Sequence, residues 1–173
     1  MSRTKILAWD ASLTKHLHVL DKPGTLRRLA ILFGHSGDSW FWLLALVVLA
    51  FSGGAQWRAW ALTFIIAILV AAALVMSIKF TVRRARPQGE WGQLYRRTDP
   101  HSFPSGHAAR AIMLAVLALG YGPLWLAAVL VVWAPLVGLA RVATGLHYVS
   151  DVLAGWMLGA LVGLLVLQFN VIM

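Results

Sequence analysis

The chain has 173 residues, 60% of them hydrophobic and only 12% charged, with a mean hydropathy of +0.77 and a formal net charge of +9. This balance excludes an ordinary water-soluble domain and points to a one-domain integral membrane protein. The absence of cysteine excludes disulfides, iron–sulfur clusters and thiolate nucleophiles.

Taken in order, residues 1–35 form an N-terminal amphipathic segment, and residues 36–173 form the membrane-embedded domain. Leu13, Leu17 and Leu20 recur at helical spacing beside Lys15, His16 and His18, which predicts a helix lying on the membrane surface. Residues 1–28 hold no continuous apolar core, so no cleavable signal peptide is expected. Pro23-Gly24 breaks the helix, and Thr25 is expected to cap a short second one over residues 26–33, too short to span. Five spans follow. The first, residues 39–51, carries Trp40 and Trp42 at one interface; the second, residues 59–78, delivers Lys79 to the opposite interface. A polar loop over residues 81–103 is the longest connection. Pro104-Ser105-Gly106 opens a third span over residues 107–119, Gly120-Tyr121-Gly122-Pro123 turns the chain, and residues 124–140 form a fourth. A short polar break then leads into a fifth span from residue 152 to the C-terminus. Gly155, Gly159 and Gly163 make a small-xxx-small stripe on that last helix, best read as a packing face.

The cations are unevenly spread: six lie within residues 1–28, one is Arg58, seven lie from Lys79 to Arg110, and one is Arg141. In a membrane protein such a basic balance serves topology, anionic headgroups or a phosphate site, so nucleic acid is not an expected partner. Ionisable residues beside spans are costly and are functional candidates by default. They fall in three clusters, which the parity of five spans places on one side. In the first, Lys79 ends a span and Arg86 precedes Pro87; a planar guanidinium beside a φ-locked proline suits bidentate phosphate contact, while Arg83 and Arg84 read as topology signals. The second, Pro104-Ser105-Gly106-His107, stands at a helix start, where unpaired N–H groups and the dipole favour an anion; Ser105 serves equally as a plain N-cap. The third is Arg141, His147 and Asp151. With a helix beginning near His147, the i to i+4 spacing puts His147 and Asp151 on one face, as an oriented imidazole or as a surface ion pair.

Lys79 with six residues before Arg86-Pro87, then Pro104-Ser105-Gly106-His107, then Arg141 with five residues before His147 and three more before Asp151, resembles the three-part signature of the type 2 phosphatidic acid phosphatase superfamily. One departure is Ala140, where the family usually has Ser; another is a count of five spans where membrane members commonly have six. The resemblance implies an all-α membrane bundle with His147 as nucleophile, forming a phosphohistidine, Asp151 orienting it, and His107 as acid and later base. It implies that Lys79, Arg86, Ser105, the Gly106 backbone and Arg141 hold the phosphoryl oxygens, with no metal and no cofactor. The expected activity is removal of a terminal phosphate from a lipid phosphate or diphosphate, such as phosphatidate, phosphatidylglycerol phosphate or a polyprenyl (di)phosphate, at the surface of the bilayer. Competing readings are a non-catalytic lipid-phosphate-binding protein and a vanadate haloperoxidase-like enzyme. The expected location is multi-pass in a bacterial inner membrane. Arg83, Arg84, Arg96 and Arg97, sharing a face with the basic N-terminus, put the site on the cytoplasmic side by the positive-inside tendency.

Overall fold

The computed structural model describes residues 3–21, 23–88 and 98–169. Among them are seven α-helices and no sheet: α1 (Arg3–Leu17), α2 (Thr25–Ser36), α3 (Ser39–Ser52), α4 (Ala55–Val82), α5 (Gly106–Tyr121), α6 (Leu124–Ala143) and α7 (Val149–Phe169). Arg96 and Arg97 lie outside the described residues.

The five expected spans map onto five helices, with two refinements. Helices α4, α6 and α7 are each long and apolar enough to cross a bilayer. Helices α2 and α3 are together long and apolar enough to cross, with a 51° bend between them. Helix α2 begins at Thr25, so the N-cap position falls to Gly24, which has no side chain to cap with. Helix α5 has only 16 residues, about 24 Å at 1.5 Å per residue, short of the hydrocarbon thickness.

The reason α5 is tolerated at that length is its place. It packs most extensively against α7 and α6, then α4, and Ala108, Ala109, Ala111, Met113, Leu114, Leu117 and Ala118 are all buried. The outer helices instead turn large apolar side chains outward: Val47 and Val48 on α3, Leu62, Ile66 and Leu69 on α4, Val131 and Val132 on α6, Met157 and Leu161 on α7. An inside-out apolar surface around a small-residue centre is what a bilayer solvent selects, since lipid tails compete for Leu and Val but small residues let backbones approach.

The glycine stripe sets the closest of these approaches. A Cβ on Gly155 would stand 2.5 Å from the Ser105 carbonyl oxygen, one on Gly159 would strike the Ala109 carbonyl, and one on Gly163 would meet Val116. Helix α7 thus seats against the first turns of α5, where the second charged cluster lies. Helix α1 lies outside the bundle and faces it with polar groups: Asp10 and Thr14 are buried, whereas Leu7 and Trp9 are exposed.

Candidate active site

The three clusters meet at one end of the bundle. The end of α4 supplies Lys79; Arg86 follows on the loop; Ser105 to His107 start α5; Arg141 is in the last turn of α6; His147 precedes α7 and Asp151 is in its first turn. Lys79, Arg86, Ser105, Arg141, His147 and Asp151 are all buried. Arg141 belongs to α6 rather than to a polar break, and His147 stands two residues before α7 rather than on its face.

Local backbone geometry explains how each part is presented. Gly145 adopts φ 66°, the left-handed region open to glycine at little cost, and the turn closes with Leu146 and His147 N–H groups donating to the Arg141 carbonyl. That fold-back carries His147 beside Arg141. The Ala85–His101 bridge, with Ser102 N–H donating to the Arg84 carbonyl at 2.8 Å, ties the first cluster to the approach of the second. Ser105 N–H donates to the Asp151 carbonyl at 2.9 Å, tying the second to the third. Ser105 Oγ accepts from Ala108 N–H at 3.4 Å, so the capping role is realised.

A cavity of about 180 Å³ opens among these elements, lined on one side by Lys79, Gly106, His107, Arg141 and His147 and on the other by apolar α4 residues including Ile68, Val75 and Met76. At its polar end Arg86 Nη1 lies 3.2 Å from His147 Nε2 and donates to the Leu146 carbonyl at 2.8 Å. The Asp151 carboxylate stands behind the ring, its Oδ2 3.6 Å from His147 Nδ1, an ion-pair distance longer than a hydrogen bond. The same oxygen accepts from Tyr148 N–H at 2.9 Å. Burial, reinforced by Arg86 and Arg141, pushes the His147 imidazole down to about 4 against the pull of Asp151, so the ring is neutral near pH 7 with a lone pair available.

Three features were not legible as site features in the sequence. Arg84, read there as a topology signal, donates from Nη1 to Asp151 Oδ1 and from Nη2 to Asp10 Oδ2, each at 2.7 Å, and stacks over the Tyr148 ring at 3.9 Å. Its neighbour Arg83 is exposed and donates from Nε to the Phe80 carbonyl at 2.8 Å. Asp99 pairs with both Lys79 Nζ and Arg86 Nη2, the latter at 2.8 Å, placing a carboxylate against two cations of the first cluster. Asp38, in the break between α2 and α3, puts Oδ1 2.7 Å from His107 Nε2. Each of these contacts of Arg84, Asp99 and Asp38 joins residues 13 to 74 positions apart, so no local spacing rule announces it. His101 forms the bridge to Ala85 and meets the Phe80 ring edge-on. Trp133 Nε1 donates to Ser36 Oγ, and Trp156 packs over Gly138.

Comparison with known proteins follows the same lines. The sequence profile described as "PAP2 superfamily" matches residues 58–171. An undecaprenyl-diphosphatase of Sulfolobus acidocaldarius is 30% identical over 151 residues, covering 84% of this chain and 71% of that one. A decaprenylphosphoryl-5-phosphoribose phosphatase of Mycobacterium tuberculosis is 35% identical over 150 residues, covering 86% and 82%. Among solved structures, the transmembrane PAP2-type phosphatidylglycerolphosphate phosphatase of Bacillus subtilis superposes with a TM-score of 0.78 at 27% identity, over 96% of this chain and 86% of the other. Aquifex aeolicus LpxE superposes with a TM-score of 0.72 at 26% identity, over 91% and 93%.

Proposed function

This chain belongs to the PAP2 superfamily, and from that premise we propose that it hydrolyses the terminal phosphate of a membrane lipid phosphate or diphosphate through a phosphohistidine on His147. The enzyme class, a multi-pass membrane phosphatase, is that of its relatives; the residue roles are inferred. The observation that carries them is the neutral, buried His147 with its Nε2 beside Arg86, an aspartate behind its Nδ1, and two further cations, Lys79 and Arg141, lining the same cavity.

A phosphoryl group entering the cradle trades its solvation for Lys79, Arg86, Arg141 and the N–H groups at the start of α5. Fixed cations then stabilise the equatorial oxygens in the transition state. The phosphate must displace the Asp99 carboxylate from Lys79 and Arg86, an exchange of one anion for another of higher charge. Nε2 of His147 attacks phosphorus in line, and Asp151, oriented by Arg84 and Tyr148 N–H, balances the charge that develops on the ring. His107 protonates the departing oxygen and then activates water to release phosphate. The cradle is cationic rather than carboxylate-rich, which fits charge neutralisation by side chains without a metal. The apolar α4 wall is suited to the first part of a lipid tail, the remainder staying in the bilayer. The named substrates of the relatives include both polyprenyl and glycerolipid phosphates, so the shared chemistry is a phosphate ester or anhydride on a lipid.

We place the site on the cytoplasmic face. Lys15 and Arg27 lie against the His147 loop, at the same end of the bundle as the site, where the positive-inside tendency favours the cytoplasm.

The test is phosphate release from a panel of glycerolipid and polyprenyl phosphates, with mass spectrometry of alkali-quenched protein for phosphate on His147. The parent protein and a chelator-treated sample should release phosphate equally. Turnover by His147→Ala at the parent rate, or loss of activity in chelator, would refute the mechanism.

A further inference from the structure

Asp38 occupies the N-cap position of α3, in the extended conformation from which an aspartate ordinarily accepts a hydrogen bond from the helix N-terminus. It makes no such bond. Both oxygens go to imidazoles instead: Oδ1 to His107 Nε2 at 2.7 Å and Oδ2 to His35 Nδ1 at 3.2 Å. A cap is worth roughly 1 kcal/mol, and this one is forgone in favour of a contact with the second-cluster histidine.

The segment that presents Asp38 is fastened from four sides. Arg110, one turn along α5 from His107, donates from Nε to the Gly37 carbonyl at 3.1 Å and again from Nη2. Trp42 Nε1 donates to the Ser36 carbonyl at 3.0 Å, Trp133 Nε1 to Ser36 Oγ at 2.9 Å, and Arg141 Nη1 to the Gly34 carbonyl at 3.5 Å. A Cβ at Gly37 would stand 3.2 Å from His107 Cδ2 and 2.8 Å from Val137 Cγ1, so the backbone itself presses on the imidazole. The bend between α2 and α3 is therefore shaped around His107.

The charges around that ring make the aspartate consequential. Arg110 on its own helix, Arg141 on α6 and Lys79 on α4 line the same cavity as the ring, and His35 contacts the other oxygen of Asp38. Among the described residues, Asp38 is the carboxylate in direct contact with His107.

We propose that Asp38 is the positioning residue of the general acid: it accepts Nε2–H of His107, which leaves Nδ1–H as the proton donor, and it counter-charges the imidazolium among the surrounding cations. This rests on the reading of His107 as the acid. As the bond from His147 Nε2 to phosphorus forms, the bond from phosphorus to the leaving oxygen breaks, and that oxygen takes the Nδ1 proton, leaving His107 neutral with Nε2–H still on Asp38. In the second half, Nδ1 takes a proton from water as its oxygen bonds to phosphorus and the bond to His147 breaks, which regenerates the imidazolium. The enzyme then has two His–Asp pairs, His147–Asp151 for the nucleophile and His107–Asp38 for the acid, with Asp38 outside the three clusters.

The experiment compares Asp38→Asn, Asp38→Ser and His107→Ala with the parent on a short-chain phosphatidate in mixed micelles and on p-nitrophenyl phosphate, whose leaving group needs no protonation. General-acid assistance is worth about 10²- to 10⁴-fold. Both Asp38 variants should lose on the order of 10²-fold in kcat/KM, which reports the steps through loss of the leaving group, on phosphatidate and less than about 10-fold on p-nitrophenyl phosphate. His107→Ala should show the same selectivity. Asp38→Ser keeps a short polar side chain without the charge, so full activity there would mean that Asp38 serves only the structure of the α2–α3 bend. Equal losses in kcat/KM on both substrates would likewise overturn the proposal. A His107→Ala variant without leaving-group selectivity would overturn the acid reading itself, whereas a selective His107→Ala beside parent-like Asp38 variants would remove only the role of Asp38. Should Asp38→Asn not fold, the Ser variant decides alone.

Discussion

The imidazole of His147 gives the sharpest quantitative handle on the mechanism, and the perturbation is pH itself. Its titration lies at about 4, against an ordinary 6.5, chiefly because the ring is buried and secondarily because Arg86 and Arg141 face it. At pH 5.5 an ordinary histidine would be neutral in about one molecule in ten, whereas one titrating near 4 is neutral in nearly all. Nucleophile availability in the free enzyme therefore persists about two units further into acid than an unperturbed histidine allows. The assay is ¹⁵N-histidine NMR in detergent micelles, with the His147 resonance assigned by its loss in His147→Gln. Arg86→Gln, which removes the guanidinium 3.2 Å from Nε2, should move the midpoint upward. Linkage gives a second readout of the same shift. The unfolded chain takes up a proton near 6.5 while the folded one resists until about 4, so this group's stability contribution is complete above 6.5 and is lost as pH falls from there towards 4. Its size is on the order of 3 kcal/mol. His147→Gln should abolish that part of the pH dependence of thermal unfolding. A His147 midpoint near 6.5 would refute both the buried-neutral nucleophile and the electrostatic account of it.

Helix packing and topology provide independent checks. Gly159→Ala should lower stability by roughly 1–3 kcal/mol in thermal unfolding, because its Cβ runs into the Ala109 backbone and only separation of α5 from α7 relieves it. Gly34→Ala, in α2 with nothing within 4 Å of the added carbon, should be neutral or stabilising, and an equal penalty there would undo the packing argument. Arg84→Gln leaves Asp10 and Asp151 without their shared guanidinium; since that side chain is 17% exposed, a loss of about 2 kcal/mol in unfolding is expected, below the range for fully buried pairs. No change in stability would return Arg84 to a topology role. Gln88→Cys adds a thiol at an exposed position beside the site in a chain with none, so an impermeant maleimide should label it only after permeabilisation. Labelling in intact cells would put the site on the outer face.

Much of the fold was legible because the bilayer imposes rules that sequence obeys locally. The apolar stretches over residues 39–51, 59–78, 107–119, 124–140 and 152 onward correspond to α3, α4, α5, α6 and α7, with ends moved by a few residues. Where the reading departed from the structure, tertiary context was the cause. Arg141 reads as the start of a polar break, yet it completes the last turn of α6 because that end of the helix faces the cavity instead of lipid. Arg84 reads as one more basic residue flanking a span, and nothing within its neighbourhood signals Asp10, 74 positions away. The α2–α3 pair reads as a peripheral helix and a short span because Gly34 and Gly37 interrupt the hydropathy, although the two form a bent unit around His107.

Sequence by itself determined that the chain is a helical membrane protein, that its charges form three clusters, and that helix parity brings those clusters to one face. Hydropathy, residue spacing and parity are properties of the chain taken in order. Only the tertiary structure decided which distant atoms meet: Arg84 bridging Asp151 and Asp10, Asp99 against Lys79 and Arg86, and Asp38 against His107 across 69 positions. Those pairings depend on how each helix is rotated and how closely its neighbour approaches, and small residues at Gly155 and Gly159 set both by letting α7 press against the start of α5.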